Sequence, residues 1–366
     1  MNRADDLLEA VIAQPDDDGP RLVMADWYEE HDEPERAEFI RVQIELANRD
    51  EYDPQFAALT NRENELIREF GPQWKIPDLK CRQEFRRGFV EYIWLRGDRL
   101  LVDSERIDAA RTVCRLRVSG VDQRMSDLTK LPWIHRIREL DLSNNSLVRF
   151  LLPDFLEDIN TANLQTLVMR NVRMWTEELE TLLHHPGFPT LTRLDVSGNP
   201  LGDEGLALMS QSPSLATLRE LIFRSNGLDE SESVHTSGME ALARSPVLNQ
   251  LHTLDLIGHN PGANGLIALV NSPIMKPVRV LSLAARGYKN DDPHWCRTLV
   301  DSPMIGPLRS LALAGEFLNE EDSLLLTRWH RLAEGTILDV RKMRLDEVDR
   351  ERFLTSPYAK QIFLPE

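Results

Sequence analysis

The 366-residue chain has few cysteines and no long apolar run. Its three cysteines, Cys81, Cys114 and Cys296, are odd in number and far apart, which favours reduced thiols over a disulfide framework. No stretch of about 18 consecutive apolar residues is present, and the first residues lack the apolar core of a signal peptide. The composition therefore predicts a cytoplasmic protein without a membrane span.

Positive charge is also scarce. The chain has 43 Lys and Arg against 60 Asp and Glu, a net charge of −17. An acidic surface repels phosphate backbones, and no local basic patch interrupts it, so a nucleic-acid partner is excluded at this stage. The hydrophobic fraction of 42% and the charged fraction of 28% are those of a folded protein.

Signatures of catalysis and metal binding are missing. The sequence has no Walker loop, G-x-S-x-G or zinc-binding spacing, and His184-His185 and His294-Trp295-Cys296 fit packed or surface side chains better than ligands. The run Asp16-Asp17-Asp18-Gly19 is typical of a helix-capping turn. Asp26 and Glu30, four apart on a predicted helix, could form a catalytic carboxylate pair, but an exposed acidic face explains them equally well. We expect no enzyme activity, cofactor or metal.

A repeat with a period near 27 residues organises most of the chain. Segments 138–147 and 192–201 share the pattern L-x-apolar-x-x-N-x-L. The alternation predicts a short strand with leucines towards a core and polar side chains on the other face. The first leucines of successive copies are Leu116, Leu140, Leu167, Leu194, Leu221, Leu254, Leu281 and Leu311.

Each strand is followed by a predicted turn and helix. Asn145, Asn199 and Asn226 stand at the turn, where an amide can satisfy backbone groups that would otherwise be buried unpaired. Other copies must satisfy this turn differently, since they place Val172, His259, Arg286 and Glu316 there. The helical half ends at a proline step, because proline disfavours helix at the residue before it; examples are Ser212-Pro213, Ser245-Pro246, Ser272-Pro273, Ser302-Pro303 and Ser356-Pro357.

These residues resemble leucine-rich repeats over roughly 111–345, and the 27-residue helical form resembles the ribonuclease-inhibitor subtype. The resemblance implies an α/β solenoid with a parallel concave sheet and outer helices, most often used to bind other proteins. Because Ran-type GTPase activators resemble the same subtype, regulation of a GTPase is the alternative function.

The amino-terminal part differs from the repeats. Capping residues and apolar spacing predict four short helices, the last running from Pro54 to Gly71. The strings PDDDGPRLVMADWYEEH and PERAEFIRVQIELA resemble the repeat-companion domain of planctomycete proteins, a family that implies no activity. The predicted domains are a helical bundle at 1–71, a linker and amino-terminal cap at 72–115, repeats at 116–345 and a carboxy-terminal cap at 346–366.

The predicted concave face offers the candidate binding surface. Its first half carries mixed charges suited to an orienting interface, whereas its second half is small and nearly apolar. The alternatives are that these residues are merely solvated or that the carboxy-terminal tail covers the apolar half. We expect a monomeric scaffold that binds a protein partner through Arg117, Glu139, Asp141, Arg170, Arg193, Asp195, Glu220, Arg224, Asp255, Ile257 and Ser282.

Overall fold

Four helices open the chain in the computed structural model. They are α1 (Arg3–Ala13), α2 (Asp18–Glu30), α3 (Pro34–Ala47) and α4 (Phe56–Trp74). The side chain of Asp17 caps α2 by accepting a hydrogen bond from the backbone N–H of Gly19 at 2.8 Å, as the acidic run predicts. The structure describes residues 3–49, 53–122, 124–146, 152–160, 162–185, 188–225, 233–285, 295–315, 318 and 320–365.

The predicted end of α4 at Gly71 is wrong, because the helix continues to Trp74. Gly71 is buried, and a Cβ on it would lie 3.3 Å from the side chain of Ile67. The ring of Phe70 stacks on that of Trp74 one turn later, with centroids 5.7 Å apart. Packing of the last turn therefore overrides glycine as a stop signal.

The helices belong to the first of two compact units, Met1–Arg138 and Glu139–Glu366. A buried cluster that includes Val11, Met24, Ile40 and Phe89 forms part of the first unit's core. This unit also contains α5 (Ser104–Ala110), α6 (Met125–Thr129) and strands β1 (Arg82–Arg86), β2 (Phe89–Arg96) and β3 (Arg115–Ser119). Strands β1 and β2 form an antiparallel hairpin, and β2 pairs in parallel with β3, the strand of the first predicted repeat.

Nine parallel strands form the sheet in the described part of the second unit. They are β4 (Glu139–Asp141), β5 (Thr166–Val168), β6 (Arg193–Asp195), β7 (Glu220–Ile222), β8 (Thr253–Leu256), β9 (Val280–Ala285), β10 (Ser310–Gly315), β11 (Ile337–Met343) and β12 (Ile362–Phe363). Their helices are α7 (Leu152–Asp158), α8 (Thr176–His184), α9 (Gly202–Gln211), α10 (Thr236–Ala243), α11 (Gly262–Val270), α12 (Trp295–Asp301), α13 (Glu320–Thr327), α14 (His330–Ala333) and α15 (Glu347–Thr355).

The repeat leucines are register partners on neighbouring strands, which confirms the predicted α/β solenoid fold. Leu140 pairs with Leu167, Leu167 with Leu194 and Leu194 with Leu221. All are buried, and each such side chain contributes about 1.5–3 kcal/mol of transfer free energy. The ladder continues through Leu254, Leu281, Leu311 and Leu338.

Two sets of polar side chains bond successive repeats. The amide of Asn199 donates to the carbonyl of Met169 and accepts from the N–H of Val172, both in the preceding repeat, as the asparagine pattern predicts. Within its own repeat, Asn145 donates to the carbonyl of Leu142. Asn226, Arg286 and Glu316 lie outside the described residues.

The serines of the Ser-Pro steps form the second set. Each donates to a backbone carbonyl in the helix of the preceding repeat or at its end: Ser245 to Ser210, Ser272 to Ala243, Ser302 to Val270 and Ser356 to Thr327.

Candidate functional site

In strands β4–β9 and the residues directly after them, the positions opposite the leucine core form two rows that mix polar and apolar residues. In the first row the register partners are Asp141, Val168, Asp195, Ile222, Asp255 and Ser282. The second row lies two residues after the first in each repeat and consists of Ser143, Arg170, Ser197, Arg224, Ile257 and Ala284. We call these two rows the sheet face.

The acids of the first row shape the ends of their own strands. Oδ1 of Asp141 accepts the backbone N–H of Ser143 at 2.8 Å, and Oδ1 of Asp195 accepts that of Ser197 at 3.1 Å. This local bond closes a turn two residues long, a role for which a short carboxylate is well suited. These acids therefore have a structural task on the sheet face.

The second carboxylate oxygen of two of these acids binds an arginine from the preceding repeat. Nε of Arg170 donates to Oδ2 of Asp195 at 2.6 Å, and Nε of Arg224 donates to Oδ2 of Asp255 at 2.8 Å. The hydrogen bond that Arg224 donates to Asp255 raises the pKa of Arg224. Asp195 and Asp255 are 0% and 4% exposed, whereas each arginine side chain keeps 47% of its surface. The acids thus orient the arginines, and the arginines are presented to solvent.

The sheet face alternates with a period of two repeats in its first half. Strands β4 and β6 end in an aspartate that is followed two positions later by serine, whereas β5 and β7 end in an apolar residue that is followed two positions later by arginine. The hydroxyls of Ser143 and Ser197 accept the backbone N–H groups of Arg170 and Arg224. Because neighbouring strands are about 4.8 Å apart, the backbones of the two arginines are about 10 Å apart. The spacing of 54 residues between Asp141 and Asp195, twice the repeat length, is the sequence feature that could have predicted this alternation.

Another predicted pair lies at the start of the same strands. Arg193 on β6 and Glu220 on β7 are register partners, and their side chains form an ion pair. Both side chains are about one-third exposed. Glu139 and Asp141 on β4 are half-buried and also make interactions within the fold.

The remaining predicted site residues are placed differently. Arg117 belongs to the first unit, where its guanidinium lies 4.2 Å from the ring centroid of Trp94. Ser282 is buried, as is Ala284, so the small half of the sheet face offers a partner less surface than the sequence suggests. Ile257 is half-buried. The carboxy-terminal tail extends the sheet, since β12 pairs with β11.

Other candidate chemical groups have structural partners. Asp26 and Glu29 both form ion pairs with Arg41, at 2.7 Å and 2.6 Å, so Asp26 shares its cation with Glu29 and not with the predicted Glu30. Nδ1 of His184 lies 2.8 Å from the carbonyl oxygen of Glu180, and His294 lies outside the described residues. Burial raises the pKa of the free thiol of Cys114 to about 12, which keeps it protonated at neutral pH.

Family models match two segments within the repeats. Residues 136–158 and 189–210 match leucine-rich repeat families. No curated protein matches the chain. A chain in the crystal structure of the Rad7 and Elc1 complex in yeast is similar at 14% identity, with 94% of this chain and 95% of that chain covered and a TM-score of 0.49. The stacked strand–helix units and the two matched segments define leucine-rich repeats in this protein.

Among the described residues, no helix has the length and apolar character needed to cross a bilayer.

Proposed function

We propose that this protein is a non-catalytic interaction module that binds a partner protein through the sheet face. The observation that carries the proposal is the pair of arginines, Arg170 and Arg224, each held by a buried aspartate of the next repeat. A guanidinium fixed in this way loses little side-chain entropy on binding and still has N–H groups that a partner can use. Arginine is also enriched among residues that dominate binding free energy.

The charges indicate the chemistry of the partner surface. Asp195 and Asp255 neutralise much of the charge of the arginines that they hold, so we expect carbonyl oxygens as well as carboxylates to bind there. The pair Arg193 and Glu220 presents one donor and one acceptor group beside them, which would fix the orientation of the partner. Arg193, Glu220, Arg170 and Arg224 are therefore the contact residues that we favour.

The proposal is tested by affinity capture with the full chain and quantitative mass spectrometry. The double variant Arg170→Glu/Arg224→Glu reverses the presented charge, and we expect it to lose specific partners that the unmodified chain retains. Arg244→Glu/Arg297→Glu is the matched control, because both arginines are exposed and form ion pairs away from the sheet face. Arg244 directly follows α10, and Arg297 lies on α12. Equal capture by both double variants at equal folded content would overturn the proposal.

The repeat subtype and the amino-terminal domain are assigned from the 27-residue repeat length and from the two amino-terminal sequence strings given above. We assign the repeats to the ribonuclease-inhibitor-like subtype and the first helices to a repeat-companion domain. The predicted domains are 1–71, 72–115, 116–345 and 346–366, with the first boundary moved to the end of α4 at Trp74. We further assign a cytoplasmic, monomeric protein. The GTPase-regulator alternative is separated by one measurement: nucleotide hydrolysis by a captured GTPase would increase on addition of this chain if it is an activator, and stay constant if it is a scaffold.

A further inference from the structure

A buried arginine in the first unit is surrounded by aromatic rings. Arg36 on α3 is 7% exposed. Its guanidinium carbon lies 4.9 Å from the ring centroid of Trp74 and 5.4 Å from that of Phe89. The rings of Tyr28, Phe39 and Phe85 are each within 6 Å. Such rings attract a cation, but they neutralise its charge less completely than a carboxylate does.

Arg36 has no carboxylate within ion-pair distance among the described residues, and Glu33 attracts it only from further away. No ion pair reaches it within 4 Å, and its buried Nη1 has no hydrogen-bond acceptor there, although Tyr28 is a hydrogen-bonding neighbour. Burial lowers the pKa of Arg36, as expected for a cation removed from water without full compensation.

The buried Arg21 on α2 provides an internal comparison. Its guanidinium forms an ion pair with Glu91 and donates hydrogen bonds to the carbonyls of Pro15 and Arg87. The fold therefore supplies a direct ion pair to Arg21 and none to Arg36. A buried cation whose charge is not fully compensated lowers the stability of the folded protein. Such a loss of stability is common where residues serve a binding site.

Arg36 lines a cavity of about 460 Å³ within the first unit. This volume falls in the range typical of small-molecule pockets. The walls are mainly apolar and aromatic, with Leu8, Trp74, Ile76, Phe89, Val90 and Ala109 among the lining residues. The half-buried hydroxyl of Thr112, which also lines the cavity, donates to the carbonyl of Val90 at 2.7 Å and is therefore satisfied.

The charges around the cavity match one negative charge on a ligand. Lys75 and Arg106 also line it and are exposed, but Asp78 lines it too, and Arg106 pairs with Asp103 at 3.2 Å. Asp103 also pairs with Arg99 at 2.7 Å, so it offsets Arg106 only in part. Lys75 and Arg106 are nevertheless exposed to solvent, which leaves Arg36 as the buried cation of the lining. A carboxylate supplies one negative charge, whereas a phosphate monoester carries about 1.5 to 2.

We propose that this cavity binds a small organic acid, with its carboxylate towards Arg36 and its apolar body against Trp74, Phe89 and Val90. This site is distinct from the sheet face and is independent of the proposed protein partner. Ligand binding would stabilise the first unit, because the acid supplies the charge that the fold withholds.

The test compares acids with their amides on the full chain. Indole-3-acetate, phenylacetate and octanoate are titrated beside indole-3-acetamide, phenylacetamide and octanamide, with saturation-transfer NMR and calorimetry as readouts. We expect at least one acid to bind with a Kd of about 1 mM or tighter, and its amide to bind at least about tenfold more weakly. If no acid in the set binds more tightly than its amide, the proposal is wrong, and this comparison needs no variant.

The variant Arg36→Met separates a ligand-binding role from a structural one. Met is flexible and packs well against rings, so the free variant should have a Tm equal to or above that of the unmodified chain. It should also bind the acids at least about tenfold more weakly, with amide binding unchanged. Arg68→Met, at an exposed position on α4, should alter neither property. A lower Tm of Arg36→Met together with unchanged acid binding would contradict the proposal.

Discussion

His259 accepts a hydrogen bond at Nδ1 from the backbone N–H of Val234, 3.0 Å away. Its Nε2 lies 2.8 Å from the carbonyl oxygen of Phe223, to which it donates. The imidazole thus donates to one backbone carbonyl and accepts one backbone N–H of the preceding repeat. The amide of Asn199 does the same at the equivalent turn. This geometry requires the neutral tautomer with the proton on Nε2, and burial lowers the pKa of His259 to about 4.

We predict that His259 makes the stability of the fold depend on pH. Its pKa is about 4 in the native state against 6.5 for an unperturbed histidine, so the unfolded state binds the proton more tightly. The free energy of unfolding should therefore decrease as the pH falls from 6.5 towards 4, by up to about 3 kcal/mol. His259→Asn should keep the hydrogen bonds and lose this component. Urea unfolding of both proteins at several pH values measures the difference, and parallel pH profiles would contradict the assignment.

Removal of the amide at Asn199 should destabilise the repeats. The buried side chain bonds the carbonyls of Met169 and Val196 and the N–H groups of Val172 and Met174. Asn199→Ala leaves these groups buried and unpaired, so we expect a loss of about 2–4 kcal/mol of unfolding free energy. Chemical denaturation measures it, with the exposed Asn249→Ala as the control that should change stability by less than about 0.5 kcal/mol.

The buried pair Arg21 and Glu91 should show strong coupling. Arg21→Met leaves a buried carboxylate without its main cation, and we expect a loss of about 3 kcal/mol or more. The double variant Arg21→Met/Glu91→Leu removes both charges and should be less destabilised than the sum of the single variants by at least about 2 kcal/mol. A double-mutant cycle of unfolding free energies tests this expectation, and additive losses would show that the pair contributes little.

Two glycines with the same backbone angle allow a matched test of close packing. Gly258 and Gly335 both have φ of +91°. A Cβ on Gly258 would overlap the carbonyl of Ser225, whereas a Cβ on Gly335 has no neighbour within 4 Å among the described residues. Both alanine variants incur the left-handed penalty of about 1–2 kcal/mol, and Gly258→Ala incurs a further clash of about 1–3 kcal/mol. Equal stabilities of the two variants would contradict the close approach of adjacent repeats at Ser225.

The repeat architecture could be predicted from sequence because its signal is local and recurs with phase. Each copy places a leucine in the same strand position, and Leu140, Leu167 and Leu194 pair as the period requires. The end of α4 could not be predicted in this way, because Gly71 stays within the helix only through packing of the final turn.

The interactions of the candidate site were only partly predictable. The arginines and aspartates were identified as residues of one face, but the bonds between Arg170 and Asp195 depend on the lateral register of two repeats. The environment of Arg36 depends on rings from α2, α4 and the β1–β2 hairpin, and no short-range pattern joins them.

Hydrogen–deuterium exchange on the complex would locate the surface of the second unit that a protein partner covers, which we propose is the sheet face. With the captured partner bound to the full chain, peptides covering β5, β6 and β7 and the turns after them should gain protection. Peptides from helices α9, α10 and α11 should exchange as they do in the free chain. Protection confined to these helices, or to α1–α4 of the first unit, would contradict the claim.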